Sequence, residues 1–159
     1  MWWQWGVGYI FSVVIGHFLI YPLVESLWES LGLKRGGKSD AVRSVPEHPA
    51  MVGILERGLY TSAYLVGRME FIGLWFFIKA AGNWKGFSED QEVDGKKVYG
   101  RNIFNIALIG NGFSIAYGVL GGMMVNWLRQ QQYDVAFLTA LALCAVNVAF
   151  WLWSRQRKG

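Results

Sequence analysis

Residues 51–81 read MVGILERGLYTSAYLVGRMEFIGLWFFIKAA, and how this stretch is read decides the fold. It is apolar enough to enter a bilayer, yet it carries Glu56, Arg57, Arg68, Glu70 and Lys79. Its uncharged runs, Gly58 to Gly67 and Phe71 to Ile78, hold 10 and 8 residues. Neither run alone reaches the about 20 residues that a spanning helix needs. Either the whole stretch crosses as one long tilted helix, or it breaks near Gly67 into two half-helices. The lack of proline and the tolerance of membrane helices for single glycines favour one helix. On such a helix Arg57, Arg68 and Lys79 recur every eleven residues. Eleven steps return to within about 20° of the same face, which predicts a stripe of three cations roughly 33 Å long.

Around this stretch the chain divides into apolar runs and polar loops. Trp5 to Val24, Asn102 to Leu128 and Val135 to Trp153 contain no Asp, Glu, Lys or Arg. Each is about 19 residues or longer, enough to cross a bilayer. Only 16% of the residues are charged, against about 25% in soluble proteins. The expected fold is therefore an all-α membrane protein, a four-span transmembrane helical bundle with a long charged second span. The spans fall near 5–28, 51–81, 102–128 and 134–153, within a single domain covering 1–159. Polar loops occupy 29–50 and 82–100, and the Val-Asp-Gly-Lys-Lys-Val stretch of the second has the form of a short hairpin. Trp2, Trp3, Trp5 and Trp28 bracket the first span as interfacial aromatics do. Its apolar run is too long for a cleavable signal and reads as a retained span. Pro22 is expected to kink it.

The net charge of +4 is no nucleic-acid footprint, because the cations cluster at span ends and in loops. With four spans, both termini and loop two share one side. That side carries Lys85, Lys96, Lys97, Arg101, Arg155, Arg157 and Lys158, and the other carries Lys34, Arg35, Lys38, Arg43 and Arg129. Seven against five places both termini in the cytoplasm.

Several groups inside the spans are candidates for function, because ionisable side chains in membranes need a partner or water. Arg57 and Lys79 lie near the ends of the expected helix and are able to snorkel. Arg68 is central, so it is expected to be buried and paired. Glu56 and Glu70 lie off the cation stripe and call for partners on other spans, with His17, Asn105, Asn111 and Asn147 available. Arg68 in turn calls for an acceptor, with Glu25, Glu70 of a neighbouring protomer and a side-chain amide as the candidates. On the third span Gly110, Ser114, Gly118 and Gly122 follow small-xxx-small spacing, which lets helix backbones approach closely. His17 lacks the companions that a metal site needs, and Cys144 reads as an apolar filler. No phosphate loop, nucleophile triad or HExxH helix is present, so neither a catalytic residue nor a cofactor is assigned.

Leu55-Glu56-Arg57, Ile72-Gly73, Lys79-Ala80, Ile109-Gly110 and Ser114 together resemble a group of small, uncharacterised bacterial inner-membrane proteins. Those pair a Leu-Glu-Arg helix start with a later Ile-Gly, an Ala-Lys helix end and a Gly/Ser-bearing helix. The resemblance covers residues 53–118, with the lysine here preceding the alanine. It implies that Glu56, Arg57 and Lys79 act as a set; the expected location is the bacterial inner membrane. The expected function is that of a non-enzymatic multi-pass membrane protein, a subunit or small oligomer. Its partners would be the lipid bilayer, a second copy or other membrane subunits, with the charged helix binding a protein partner or anionic lipid. The alternative is a small channel or transporter with a polar path lined by Arg68, Glu70 and Glu56.

Overall fold

The computed structural model describes residues 2–31, 49–93 and 96–156. Most of the expected first loop, residues 32–48, and the tail 157–159 lie outside the described residues. A continuous helical run opens the chain as α1 (Trp3–Tyr9), a π-helical stretch (Ile10–Ile15) and α2 (Gly16–Ser30). Then come α3 (Pro49–Leu65), α4 (Glu70–Gly82), the short α5 (Trp84–Ser88), β1 (Gln91–Val93), β2 (Lys96–Val98), α6 (Gly100–Arg129) and α7 (Tyr133–Gln156). The two strands pair antiparallel, with Glu92 opposite Lys97. Three helical runs are long and apolar enough to cross a membrane: Trp3–Ser30, Gly100–Arg129 and Tyr133–Gln156, of 28, 30 and 24 residues. This is the make-up of an all-α, multi-pass membrane protein.

α6 is the axis of the bundle. The first run lies antiparallel to it, with Gln4 at Leu128, Gly8 at Gly121, Gly16 at Tyr117 and Val24 at Gly110. α7 also lies antiparallel, with Cys144 at Tyr117 and Phe150 at Phe113. α3 runs parallel to α6, with Arg57 at Ser114, Tyr60 at Gly118 and Tyr64 at Gly122. The core fills with Phe11, Ile20, Tyr117, Leu120, Met124, Leu128 and Ala136. The outward faces stay apolar, as with Phe18, Phe77, Phe137 and Leu138. Exposed apolar side chains of this kind suit a hydrocarbon solvent.

The single helix expected over 51–81 is not formed. α3 stops at Leu65, and α4 turns back along it, so that Ile72 packs with Tyr60 and Ala63. The segment enters and leaves the bundle at the same end. The stop is chemically explicit. Gly67 has φ +73°, the left-handed region that glycine enters without a Cβ penalty. The Arg68 N–H donates to Ala63 O at 2.8 Å and the Gly67 N–H to Tyr64 O at 3.1 Å. Those two bonds make a Schellman cap, which satisfies the last carbonyls of α3. Glu70 then stands in the first turn of α4 and Lys79 in its last turn, each favourably placed on the helix dipole. The same cap joins α6 to α7, where the Gln132 N–H reaches Trp127 O at 2.9 Å across Gln131 at φ +61°.

One consequence is that the first and last described residues lie at opposite ends. Gln4 touches the Leu128 end of α6, whereas Ser154 at the far end of α7 bonds Ser26 at 2.8 Å. The expectation of both termini on one side depended on residues 51–81 crossing once.

The α6 glycines make this packing possible. A Cβ on Gly118 would stand 2.5 Å from Tyr60 Cβ, and one on Gly122 would stand 2.5 Å from Tyr64 Cδ1. Gly121 meets Gly8 O and Ser12 on the adjoining face, and Gly110 meets Val24. Gly118→Leu or Gly122→Leu should lift α3 off α6 and cost at least about 1–3 kcal/mol. Unchanged thermal unfolding of both variants in detergent would contradict this packing. Gly67→Ala should lose about 1 kcal/mol through its positive φ, and Gln131→Gly should move stability the opposite way. The two substitutions are to be compared in the same unfolding assay.

Candidate functional site

Folding α4 back on α3 brings Glu56 and Lys79, 23 residues apart in sequence, into contact. Glu56 is 2% exposed. Its Oε1 accepts from Lys79 Nζ at 2.7 Å and from Trp75 Nε1 at 3.1 Å, and its Oε2 accepts from Lys79 Nζ at 2.8 Å. Lys79 Nζ also donates to Asn111 Oδ1 at 2.7 Å. The Asn111 amide is itself oriented by donating to Ala107 O at 2.8 Å. One ammonium thus ties α4 to both α3 and α6. Trp75, stacked on Phe71 at a centroid distance of 6.2 Å, screens the pair from one side.

Arg57, next in sequence, is also 2% exposed and faces the other way, into the seam between the π-helical stretch, α3 and α6. Its Nη1 lies 3.4 Å from Ser114 Oγ and its Nη2 3.5 Å from Val13 O, both long. Its Nε has no acceptor. Below it, Thr61 Oγ1 lies 2.9 Å from each of Ser12 Oγ, Arg57 O and Gly118 O. The π-helical stretch turns Ser12 and the Val13 carbonyl inward; such stretches recur at functional sites. Ser114 lies 12 residues into the uncharged run of α6 and 14 from its far end. The guanidinium is therefore about 18–21 Å along the helix from either end of that run.

The cation stripe is dissolved by the turn. Arg68 sits at the tip of the hairpin with its side chain 74% exposed, paired at 3.6 Å with the equally exposed Glu70. The expectation of a buried Arg68 fails because the helix that would have buried it ends at Leu65. Glu25 makes no hydrogen bond or ion pair among the described residues and does not serve Arg68. His17 packs its ring near Phe18 and Tyr21, at 5.7 and 5.8 Å between centroids. Asn105 is exposed and lines a cleft of about 210 Å³ with Asn102, Ser30 and Trp153, at the end where α2, α6 and α7 converge. Asn147 is buried with neither amide atom bonded. The three residues of the expected polar path are separated: Glu56 is buried in the hairpin, and Arg68 and Glu70 are at its tip. Two residues that the sequence reading left out of the site, Trp75 and Thr61, hold central positions. Their signal was spacing within each half-helix, Trp75 one turn before Lys79 and Thr61 one turn after Arg57.

Among the described residues no three His, Cys, Asp or Glu side chains come together as metal ligands would. No family model matches the chain, and no curated protein or solved structure is significantly similar to it.

Lys79→Met should strand the Glu56 carboxylate and cost about 3–5 kcal/mol. Glu56→Gln combined with Lys79→Met should recover much of that loss, and a double-mutant cycle measures the coupling. Arg68→Leu, in contrast, should stay within about 0.5 kcal/mol of the parent, as exposed substitutions do. A large loss for Arg68→Leu alone would show that the tip is not exposed.

Proposed function

We propose that this chain is a non-enzymatic multi-pass membrane protein, with α3 and α4 as a re-entrant hairpin between the first and second full crossings. Its N-terminal end would lie outside, its C-terminal end inside, and its basic inner end would bind anionic lipid headgroups. The carrying observation is the sidedness of charge on this bundle. The end shared by Ser30, Pro49, Gly82, Gly100 and Gln156 is flanked in sequence by eleven of the fifteen Lys and Arg residues. The opposite end has only Arg68 and Arg129, and the remaining two, Arg57 and Lys79, are in the hairpin interior. Cytoplasmic ends carry the excess of lysine and arginine, so eleven against two replaces seven against five and reverses the N-terminal assignment. Each cation close to an anionic leaflet adds about 1 kcal/mol of attraction. The cleft of Ser30, Asn102, Asn105 and Trp153 opens at that same end and offers amide and hydroxyl partners for a headgroup. The resemblance to inner-membrane proteins makes the bacterial inner membrane the proposed location.

A polar transport path is less well supported. Glu56 is saturated by Lys79 and Trp75, and Arg68 and Glu70 pair at the surface of the tip.

A reporter active only outside the cytoplasm, fused in turn to each end, should signal at the N-terminal end alone. Equal signals from the two ends would overturn the hairpin topology. In nanodiscs, the protein should unfold at a higher temperature with phosphatidylglycerol than with phosphatidylcholine, and the difference should shrink as salt screens it. Equal transitions in the two lipids would remove the lipid assignment. A co-purifying protein subunit combined with lipid indifference would favour a partner protein instead.

A further inference from the structure

The cleft at the end where α2, α6 and α7 converge is layered. Leu27, Ile106 and Ile109 wall one part of it, and Ser30, Asn102 and Asn105 the other. None of its described lining residues is charged. The register of the helices orders these groups along the bundle. Phe150 of α7 meets Phe113 of α6, and Cys144 meets Tyr117. Continued along the antiparallel pair, these contacts bring Arg155 level with residues 106–108. Val24 of α2 meets Gly110, which brings Leu27 level with Ala107 and Ser30 level with Phe104. The apolar wall therefore lies at or inward of the depth of Arg155. The polar wall lies outward of it, Asn105 by about 2–5 Å and Asn102 by about 6–9 Å.

Arg155 stands beside the apolar wall. Its Cζ lies 4.9 Å over the Trp151 ring, and Trp151 packs on the cluster of Leu27 and Ile106 that walls the cleft. Cation–π contact thus fixes the guanidinium, and it has no carboxylate partner among the described residues. Outward, the side chains of Asn102 and Asn105 make no hydrogen bond among the described residues. The Ser30 hydroxyl donates to Leu27 O at 2.7 Å, which leaves its oxygen free to accept. Amides and a hydroxyl donate and accept without carrying charge. An alcohol matches such a wall, whereas an ammonium or a carboxylate would find no opposite charge in it. The cleft, of about 210 Å³, is smaller than the about 300–1,000 Å³ of sites that engulf a whole small molecule. It has room for a headgroup whose chains remain in the bilayer.

We propose that this cleft selects a phospholipid whose phosphate carries a neutral polyol, as in phosphatidylglycerol. The phosphate meets Arg155, the glycerol hydroxyls exchange hydrogen bonds with Asn102, Asn105 and the Ser30 oxygen, and the acyl chains start against Leu27 and Ile109. This rests on the lipid reading above and deepens it, from attraction by charge to recognition of the headgroup.

The test is thermal unfolding of the full chain in neutral detergent, titrated with phosphatidylglycerol, phosphatidylserine or phosphatidylcholine of the same acyl chains. The first two carry the same net charge, so their difference reports the alcohol. Half-saturation should come at roughly fivefold less phosphatidylglycerol than phosphatidylserine, equivalent to about one net hydrogen bond. Asn102→Leu combined with Asn105→Leu should abolish that preference and leave the half-saturation for phosphatidylserine unchanged. Asn105→Ala alone, at an exposed position, should narrow the preference without disturbing the fold. Arg155→Gln should weaken both anionic lipids alike. Equal half-saturation for the two anionic lipids, both ahead of phosphatidylcholine, overturns this proposal and leaves the charge reading standing. Equal responses to all three lipids overturn both. A preference for phosphatidylglycerol that persists undiminished in both asparagine variants also overturns the proposal.

Discussion

The bond between Lys79 and Glu56 is the constraint on which the hairpin depends. In an apolar solvent, α4 gains little from burying hydrocarbon, because lipid is as apolar as the helices it would pack on. Ile72 is the one buried residue of α4, and Leu74, Phe77 and Ile78 face outward. Directional chemistry must therefore hold α4 in place. An ammonium bonded to a carboxylate and an amide on two different helices supplies it. A 13-residue helix, too short to cross, then has a fixed direction and depth. The pair does not make the protein stable in any absolute sense, since taking both charges out of water is costly. It selects this arrangement over others, because any alternative that separates the two leaves a naked charge in hydrocarbon.

Close backbone approach is the second requirement, and it explains how polar groups cluster without an aqueous space. Where α3 lies on Gly118 and Gly122, side chains one turn away come near enough to bond backbone atoms of the other helix. Thr61 reaches Gly118 O at 2.9 Å for this reason. The first run uses the neighbouring face of α6 in the same way, through Gly8 and Gly121. The π-helical stretch sits where the three elements meet and offers Ser12 and Val13 O to the seam. Small residues, a widened helix and a chain of hydroxyls form one polar seam inside an apolar bundle.

Much of this was legible from residues alone. Three of the four expected spans coincide with helices long and apolar enough to cross, because composition alone decides what a bilayer admits. The break in the charged stretch was legible too, in principle. Inside a helix a lone glycine such as Gly67 is tolerated by membrane packing, but its φ of +73° makes it the residue that ends one. The uncharged runs of 10 and 8 residues were the better signal, since neither half was built to cross. Once the helix is assumed continuous, Arg68 becomes central and Glu56 loses its partner. Both errors therefore follow from one torsion angle. The resemblance grouped Glu56, Arg57 and Lys79, and the fold brings two of these into direct contact, with Arg57 adjacent but turned to a different seam. The spacing of Trp75 from Lys79 and of Thr61 from Arg57 is visible in sequence, but their bonds to Glu56 and to Gly118 O come from the hairpin closure and the α3–α6 contact, which are tertiary.

The break in the helix also changes what the distribution of charge means. With one continuous second span, loop one and loop two fall on opposite sides, and their cations nearly cancel. With a hairpin, the described helix ends that flank both loops and the tail in sequence share one end, and only Arg68 and Arg129 stand near the other. Charge sidedness and hairpin geometry are independent features of the chain, the first set by where lysines and arginines fall in sequence and the second by a glycine cap and an ion pair. Their agreement is what a sequence consistent across levels would show. A chain with a true single crossing at 51–81 would have no reason to load both of its long loops with cations. Cations carried on both loops are instead what a hairpin whose two feet share one end would call for.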